Sequence, residues 1–266
     1  MYSTTYHRAS SVDEAADLFA KGTDAKFLAG GHTLLPVMKQ RLASPSDVID
    51  IAKIKDLIGI DVSGDTVTIK AATTHANVAM SDAVRKAIPA LAELASVIGD
   101  PAVRHRGTIG GSLATNDPAA DYPSAALALG ATIKTNKRSI SAEDYFKGLF
   151  TTALEDGELI TAVSFPVQAK AGYAKFRHPA SRFALTGVFV AKTKSGDIRV
   201  AATGASQTGV MRVAAIEAAL KANWSAGALD SVTISADGLM SDIHGTSDYR
   251  ANLIKVMAQR AVTAAG

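Results

Sequence analysis

Short apolar runs ending in glycine or turn residues mark out the first part of the chain. "AKFLAGG", residues 25 to 31, is an apolar strand running into paired glycines, and "HTLLPVMKQR" has helical character with Pro36 tolerable only near a helix start. "SDVIDIA" predicts another strand, so the first unit reads strand, glycine turn, helix, strand. From residue 57, "LIGIDVSGDTVTIKA" alternates apolar and polar positions about a Ser-Gly-Asp turn, the pattern of a hairpin. "NVAMSDAVRKAIPALAELASVIG" is largely helical, "PSAALALGATIKT" is a helix passing into a strand, and "GELITAVSFP" is a strand ending on Pro166.

After residue 170 the texture changes. "GYAKFRHPASRFALTGVFVAKTKSGDIRVAATGA" predicts three strands with a Lys-Ser-Gly-Asp turn between the last two, and helical stretches such as "RVAAIEAALKA" follow. "GASQTG", Gly204 to Gly209, reads as a connection between strand and helix. In the last helix Tyr249, Leu253, Val256 and Met257 share one face, read as core. The pattern predicts an α+β chain with two domains. Residues 1–170 form the larger, with subdomains of about 1–55 and 56–170, and residues 171–266 form a small three-stranded antiparallel sheet with helices.

Composition narrows the function. At 47% hydrophobic and 20% charged residues the chain is globular, and its net charge of +3, with no dense Lys/Arg run, excludes a nucleic-acid partner. No cysteine is present, so any iron–sulfur cluster or thiolate site must belong to another subunit. The start lacks a signal-peptide pattern, and no membrane span is long enough, which predicts a cytoplasmic protein. The six histidines, at 7, 32, 75, 105, 178 and 244, show no metal-ligand spacing, so no metal site is expected.

Candidate chemistry sits in two glycine loops, Gly30-Gly31-His32-Thr33 and Thr108-Ile109-Gly110-Gly111-Ser112. Glycine lets backbone amides approach an anion closely, each loop adds a hydroxyl, and the first opens a helix whose N-terminus favours negative charge. Together they suit a dinucleotide, or each merely turns the chain. Neither loop is G-x-G-x-x-G or a P-loop, so a different nucleotide fold is required. The basic stretch "VRHRG" beside the second loop reads as solvated. Asp117 reads as a helix N-cap with Pro118 at the first helical position.

"LAGGHTLLPVMKQR" followed by "RGTIGGSLATNDPAADYPSAALALGA", with "KFRHPASRFALTGVFVA" further on, resembles the FAD-binding subunit of the molybdenum hydroxylases. That group includes the medium subunit of aerobic carbon monoxide dehydrogenase and the flavin domain of xanthine dehydrogenase. The resemblance covers essentially the whole chain and implies a two-lobed FAD-binding domain of the vanillyl-alcohol-oxidase/PCMH type ahead of the C-terminal domain.

By that resemblance the two loops clamp the FAD pyrophosphate. The positions are Leu28, Ala29, Gly30, Gly31, His32 and Thr33, then Thr108, Ile109, Gly110, Gly111 and Ser112. Asp121 matches an acidic residue near the nucleotide part of FAD, where a carboxylate suits sugar hydroxyls better than a pyrophosphate. Phe183 matches a tyrosine that covers the flavin ring in the carbon monoxide dehydrogenase branch, Ile160 an apolar neighbour of the cofactor, and Arg177 a basic residue near the ring. For Phe183 and Ile160 a plain core position is the competing reading, and for Arg177 a surface ion pair.

The resemblance further implies an electron-transfer subunit that works with a large molybdopterin subunit and a small [2Fe–2S] subunit, as a dimer of heterotrimers. Molybdopterin cytosine dinucleotide and the clusters would lie on those partners only, and FAD would pass electrons to NAD, a quinone or oxygen. The competing expectations are a self-contained FAD-dependent reductase or oxidase of a small substrate, and a nucleotide-binding protein without redox activity.

Overall fold

A computed structural model describes all 266 residues. Strands β1 (Thr5–Arg8), β2 (Ala25–Leu28) and β3 (Asp47–Asp50) form a parallel sheet in the order β1-β3-β2. Helix α1 (Val12–Lys21) makes the crossover from β1 to β2. Ser11 caps it by accepting from the Glu14 amide at 3.1 Å, while Glu14 accepts from the Ser10 amide at 2.7 Å. Its apolar side closes a small core around Ile49, Ile51 and Leu57.

The second sheet holds β4 (Ile60–Ser63), β5 (Thr66–Lys70), β6 (Thr132–Thr135) and β7 (Ser139–Ser141). It is completed, after a hairpin of β8 (Phe146–Gly148) and β9 (Thr151–Thr152), by β10 (Ile160–Pro166). The order is β4-β5-β10-β6-β7, antiparallel throughout. Alternation decides its faces: Val67, Ile69, Val163 and Phe165 enter the core, while Thr68 and Ser164 share a hydrogen bond of 3.0 Å on the other side.

Helix α2 (Leu34–Lys39) follows the first glycine loop. The long helical stretch after the hairpin is three helices, α3 (His75–Met80), α4 (Asp82–Ala87) and α5 (Pro89–Ser96). Ser81 ends the first and caps the second, and Pro89 starts the third, where a missing amide proton does no harm. Short α6 (Pro101–Arg104) leads to α7 (Ile109–Thr115) and α8 (Tyr122–Leu129), with α9 (Ala142–Tyr145) further on. Every residue of α8 is buried, in keeping with a mostly apolar sequence whose Ser124 hydroxyl donates back to the Asp121 carbonyl.

The C-terminal sheet has four strands where the sequence pattern predicts three: β11 (Lys170–Arg177), β12 (Ala184–Lys192), β13 (Ile198–Ser206) and β14 (Gly209–Arg212). "GASQTG" is therefore the end of β13 and its hairpin turn, not a link to a helix. The four residues of β14 run directly into helix α10 (Ala214–Ala222), and so short a run carries too little alternation to stand apart from the helical pattern behind it. Helix α10 and the terminal α11 (Ser247–Ala265) cover one face, and α5 and α8 cover the other. Strand β12 is buried on both sides from Ala184 to Ala191, which explains why Thr186 is its one polar side chain before Lys192. On α11, Leu253 and Met257 are core, whereas Tyr249 lies at the edge against Phe176. No helix is long and apolar enough to cross a membrane.

One core serves two sheets. Tyr173, Phe189, Ala191 and Ala201 of the C-terminal sheet join Ile69, Val163 and α8 in a single cluster. Polar ties reinforce it: Thr203 Oγ1 donates to the carbonyls of Pro118 (2.9 Å) and Ala120 (2.7 Å), and the Gly204 amide donates to Pro118 (2.7 Å). Those bonds take the carbonyls that a helix from Pro118 would need, so the helix begins at Tyr122 and Asp117 does not cap it. Asp117 instead accepts from the Ala119 amide at 2.8 Å in a tight Asx turn.

Asp121, buried at the junction, receives the Tyr173 hydroxyl at 2.5 Å and the Lys175 ammonium at 2.9 and 3.1 Å. Burial pushes its carboxyl above the ordinary range, against the pull of Lys175 and the Tyr173 hydroxyl. Removing one partner of such a pair strands the other. Lys175→Met is expected to cost about 3–5 kcal/mol in urea unfolding, with part recovered in Lys175→Met/Asp121→Asn; a single variant as stable as the parent would refute the tie.

Candidate functional site

A cleft of about 520 Å³ opens where the first sheet meets the second, within the size range of small-molecule sites. Leu28, Ala29, Gly30, Gly31, His32 and Thr33 line it, together with Thr108, Gly110, Gly111, Ser112, Asp121, Ile160 and Phe183. Two predicted residues are elsewhere. Ile109 starts α7 with its side chain wholly in the core behind the loop. Arg177, at the end of β11, is exposed and does not line the cleft, although its charge acts on Asp121; the cation of this strand that pairs with Asp121 is Lys175.

The two glycine loops meet backbone to backbone. A Cβ on Gly30 would lie 2.3 Å from the Arg106 carbonyl oxygen and 2.8 Å from the Gly107 Cα, so this glycine permits loop against loop. Gly31, at φ +76°, turns the chain where an L side chain would be strained. A Cβ on Gly110 would lie 2.7–2.8 Å from Ala71, its neighbour at the end of β5. Gly111 differs: beyond the side chain of its own cap, Thr108, at 3.0 Å, a Cβ would meet only Ala29 at 4.0 Å. Its open side is the side that faces the cleft.

Hydrogen bonding separates the loops further. In the second loop every amide from Ile109 to Ser112 is satisfied internally. Ile109 donates to the Thr73 carbonyl (3.2 Å), Gly110 to that of Ala71 (2.9 Å), Gly111 to Thr108 Oγ1 (3.1 Å) and Ser112 to the Thr108 carbonyl (3.0 Å). In the first loop none of the five amides from Ala29 to Thr33 has an acceptor in the chain. Successive unpaired amides on a tight glycine turn form a concave donor surface for an anion. The first loop is thus the donor, and the second supplies its floor and a smooth wall at Gly111.

The rest of the wall escaped the sequence reading. Phe19 and Phe27 stack at 4.8 Å between ring centres and, with Ile51, Leu154 and Leu159, make an apolar arm beside the first loop. Phe27 stands three residues before Gly30 on β2 and Leu159 directly before Ile160, so both were within reach of a pattern argument; Phe19 arrives through tertiary packing. Ile160 is almost wholly buried, while Phe183 is half exposed at the mouth.

Glu158 stands on the same arm. Arg138 grips it with two bonds of 3.0 Å, and the Thr135 hydroxyl (2.7 Å) and the Glu155 amide (2.8 Å) add two more. Chiefly through Arg138, its carboxyl is held down at about 2. With this carboxylate neutralised by Arg138 and Asp121 by Lys175, the donor loop faces little opposing charge from its own walls.

A recessed cleft with an amide cradle, an apolar arm and an aromatic at its mouth suits a dinucleotide, in a fold outside the Rossmann and P-loop classes. The sequence pattern described as the FAD binding domain in molybdopterin dehydrogenase matches residues 2–168, and the chain belongs to that family. It is 35% identical to the carbon monoxide dehydrogenase medium chain of Hydrogenophaga pseudoflava, over 98% of this chain and 96% of that one. It is also 35% identical to the nicotine 6-hydroxylase medium subunit of Paenarthrobacter nicotinovorans, with the same coverage. Among solved structures, reconstituted CO dehydrogenase from Oligotropha carboxidovorans superposes with a TM-score of 0.89 at 34% identity, covering 99% of this chain and 97% of that one. Quinoline 2-oxidoreductase from Pseudomonas putida 86 gives 0.87 at 29%, covering 99% and 96%. These relatives are medium chains or subunits of a dehydrogenase and a hydroxylase, and the mixed α+β fold of this chain matches the solved structures.

Two outcomes follow. Gly30→Ala is expected to lower stability by more than about 2 kcal/mol, because its Cβ lands on backbone that cannot turn aside; an unchanged unfolding midpoint would disprove the loop contact. Glu158 has a folded value of about 2 against an ordinary 4.5, so its stabilisation is complete above pH 4.5 and lost as pH falls through about 2. The stability gap between the parent and Glu158→Gln is expected to be roughly 2–3 kcal/mol at neutral pH, after allowance for the partly exposed Arg138, and to close on acidification. A gap constant down to pH 2 would contradict this.

Proposed function

We propose that this chain is the FAD-binding electron-transfer subunit of a molybdenum-containing hydroxylase or dehydrogenase complex. It accepts electrons from [2Fe–2S] clusters of a small subunit and passes them to an external acceptor such as NAD, a quinone or oxygen. Substrate is oxidised on a large molybdopterin subunit, and the three assemble as a dimer of heterotrimers. The observation that carries the reading is the run of unpaired amides at Ala29–Thr33 over a floor of satisfied ones, joined to an apolar arm on one side and Phe183 on the other.

The residues present fit FAD part by part. The Ala29–Thr33 amides hold the pyrophosphate, and Gly111 lets it come close to the opposite wall. Phe27, Ile51 and Leu159 offer apolar surface to the adenine. Asp121, with two partners of its own, keeps acceptor capacity for one sugar hydroxyl. Phe183 shields the flavin ring at the mouth, where its face is available and no hydroxyl is present to hydrogen-bond. FAD supplies the chemistry of joining two-electron to one-electron transfer, and the chain's part is to bind, orient and limit water access. With no cysteine in the chain, the clusters belong to another subunit.

Purified alone, the chain is expected to show flavin absorption, joined by iron–sulfur absorption only when it is co-expressed with its genomic neighbours. A flavin-free chain in both preparations would end the reading. Gly111→Val is expected to give folded but colourless protein, since its side chain fills the space beside the donor loop; stoichiometric FAD in that variant would remove the wall from the site.

A further inference from the structure

Beneath the junction of the two loops lies a histidine that the FAD reading above leaves without a role. His75 is the first residue of α3, and its amide donates to the Gly107 carbonyl at 2.9 Å. The ring is only 5% exposed, lines the cleft, and packs so close to the second loop that a Cβ on Gly107 would lie 2.6 Å from its Nε2. Nδ1 has no partner in the chain. The hydroxyl of Tyr122 on α8, whose ring centre is 5.4 Å from that of the imidazole, has none either.

A buried polar atom without a partner costs about 1–3 kcal/mol, so two on neighbouring rings, one of them lining the cleft, call for an explanation. Burial, followed by the charges of His32 on the first loop and Arg104 on α6, depresses the ring to about 4, so it is neutral at ordinary pH. Every group acting on it inside the chain opposes a positive charge. The unpaired amides of the first loop, which lines the same cleft, suit a negative one.

We propose that His75 is a phosphate-contacting residue of the cofactor site, and that it takes up a proton from solvent when the pyrophosphate enters. The resulting imidazolium donates a hydrogen bond to the anion. The sign follows from linkage. The ring is neutral in the free chain above about pH 4 and protonated in the complex up to a higher value, so affinity is greatest at low pH and falls as pH rises through the bound-state value. The inference rests on the FAD reading, and its test separates the two.

FAD is titrated calorimetrically into the full chain, stripped of flavin, at about pH 6 in two buffers of different ionisation enthalpy. Uptake of about half a proton or more is expected, with a Kd that weakens by up to about tenfold per pH unit toward pH 8. His75→Gln, which keeps a hydrogen-bonding side chain but cannot take the charge, is expected to bind several-fold more weakly and without that uptake. Buffer-independent heats for the parent chain overturn the proposal even if the variant fails to fold. Full uptake retained in His75→Gln also overturns it, by assigning the proton to another group such as His32. A parent chain that binds no FAD in either buffer fails differently, by removing the cofactor itself.

Discussion

The cleft exists because two stretches of backbone touch with no side chain between them. Gly30 lies on the Arg106–Gly107 peptide, and Gly107 in turn receives the His75 amide, so the end of β2, both glycine loops and the start of α3 form one continuous stack. With this contact the first sheet is held against the second, and the five unpaired amides of the first loop belong to residues that line the cleft between them. Without it the loops would be two unrelated surface turns. Shape and donor geometry therefore come from the same close approach.

That contact also explains why the two loops, so alike in sequence, differ in role. The Gly-Gly pairs announced close approach correctly, but close approach to what depends on neighbours far along the chain. Gly30 and Gly110 give room to protein backbone, Gly31 supplies a left-handed turn, and only Gly111 presents an open side to the cleft. Local patterns reveal most strands and the β4–β5 and β12–β13 hairpins, since alternation and turn residues are local properties, but not the short β1, β7, β8 and β9. Strand β14 was missed because four residues do not define a period. Asp117 does not cap a helix because the bonds that decide its conformation come from Thr203 and Gly204, far along the chain. Phe19 and Glu158 reach the site only through tertiary packing.

The electrostatics of the cleft are those of dipoles. Asp117, Asp121, Glu155, Asp156 and Glu158 all lie on its wall, an unpromising set for an anion site. Two of the five are neutralised by dedicated cations, Asp121 by Lys175 and Glu158 by Arg138, and Glu155 shares Lys137 and Arg138. Beside the contact proposed for His75, what the first loop offers an anion is an array of fixed amides along the cleft. Such an array is screened by salt far less than lysine or arginine side chains on an open surface.

The shared core of the second and third sheets has a consequence for modularity. The family's pattern ends at residue 168, yet the carboxylate at the head of α8 finds its counter-ion on β11, and the turn before α8 is fixed from β13. A join placed near residue 170 passes through an electrostatic couple and a layer of packed side chains, so the segment upstream is a unit of sequence without being a unit of cooperativity. An exchange of one side alone would part Asp121 from Lys175 and the Pro118–Ala120 turn from Thr203. Change in one lobe is thereby constrained by residues whose codons lie in the other.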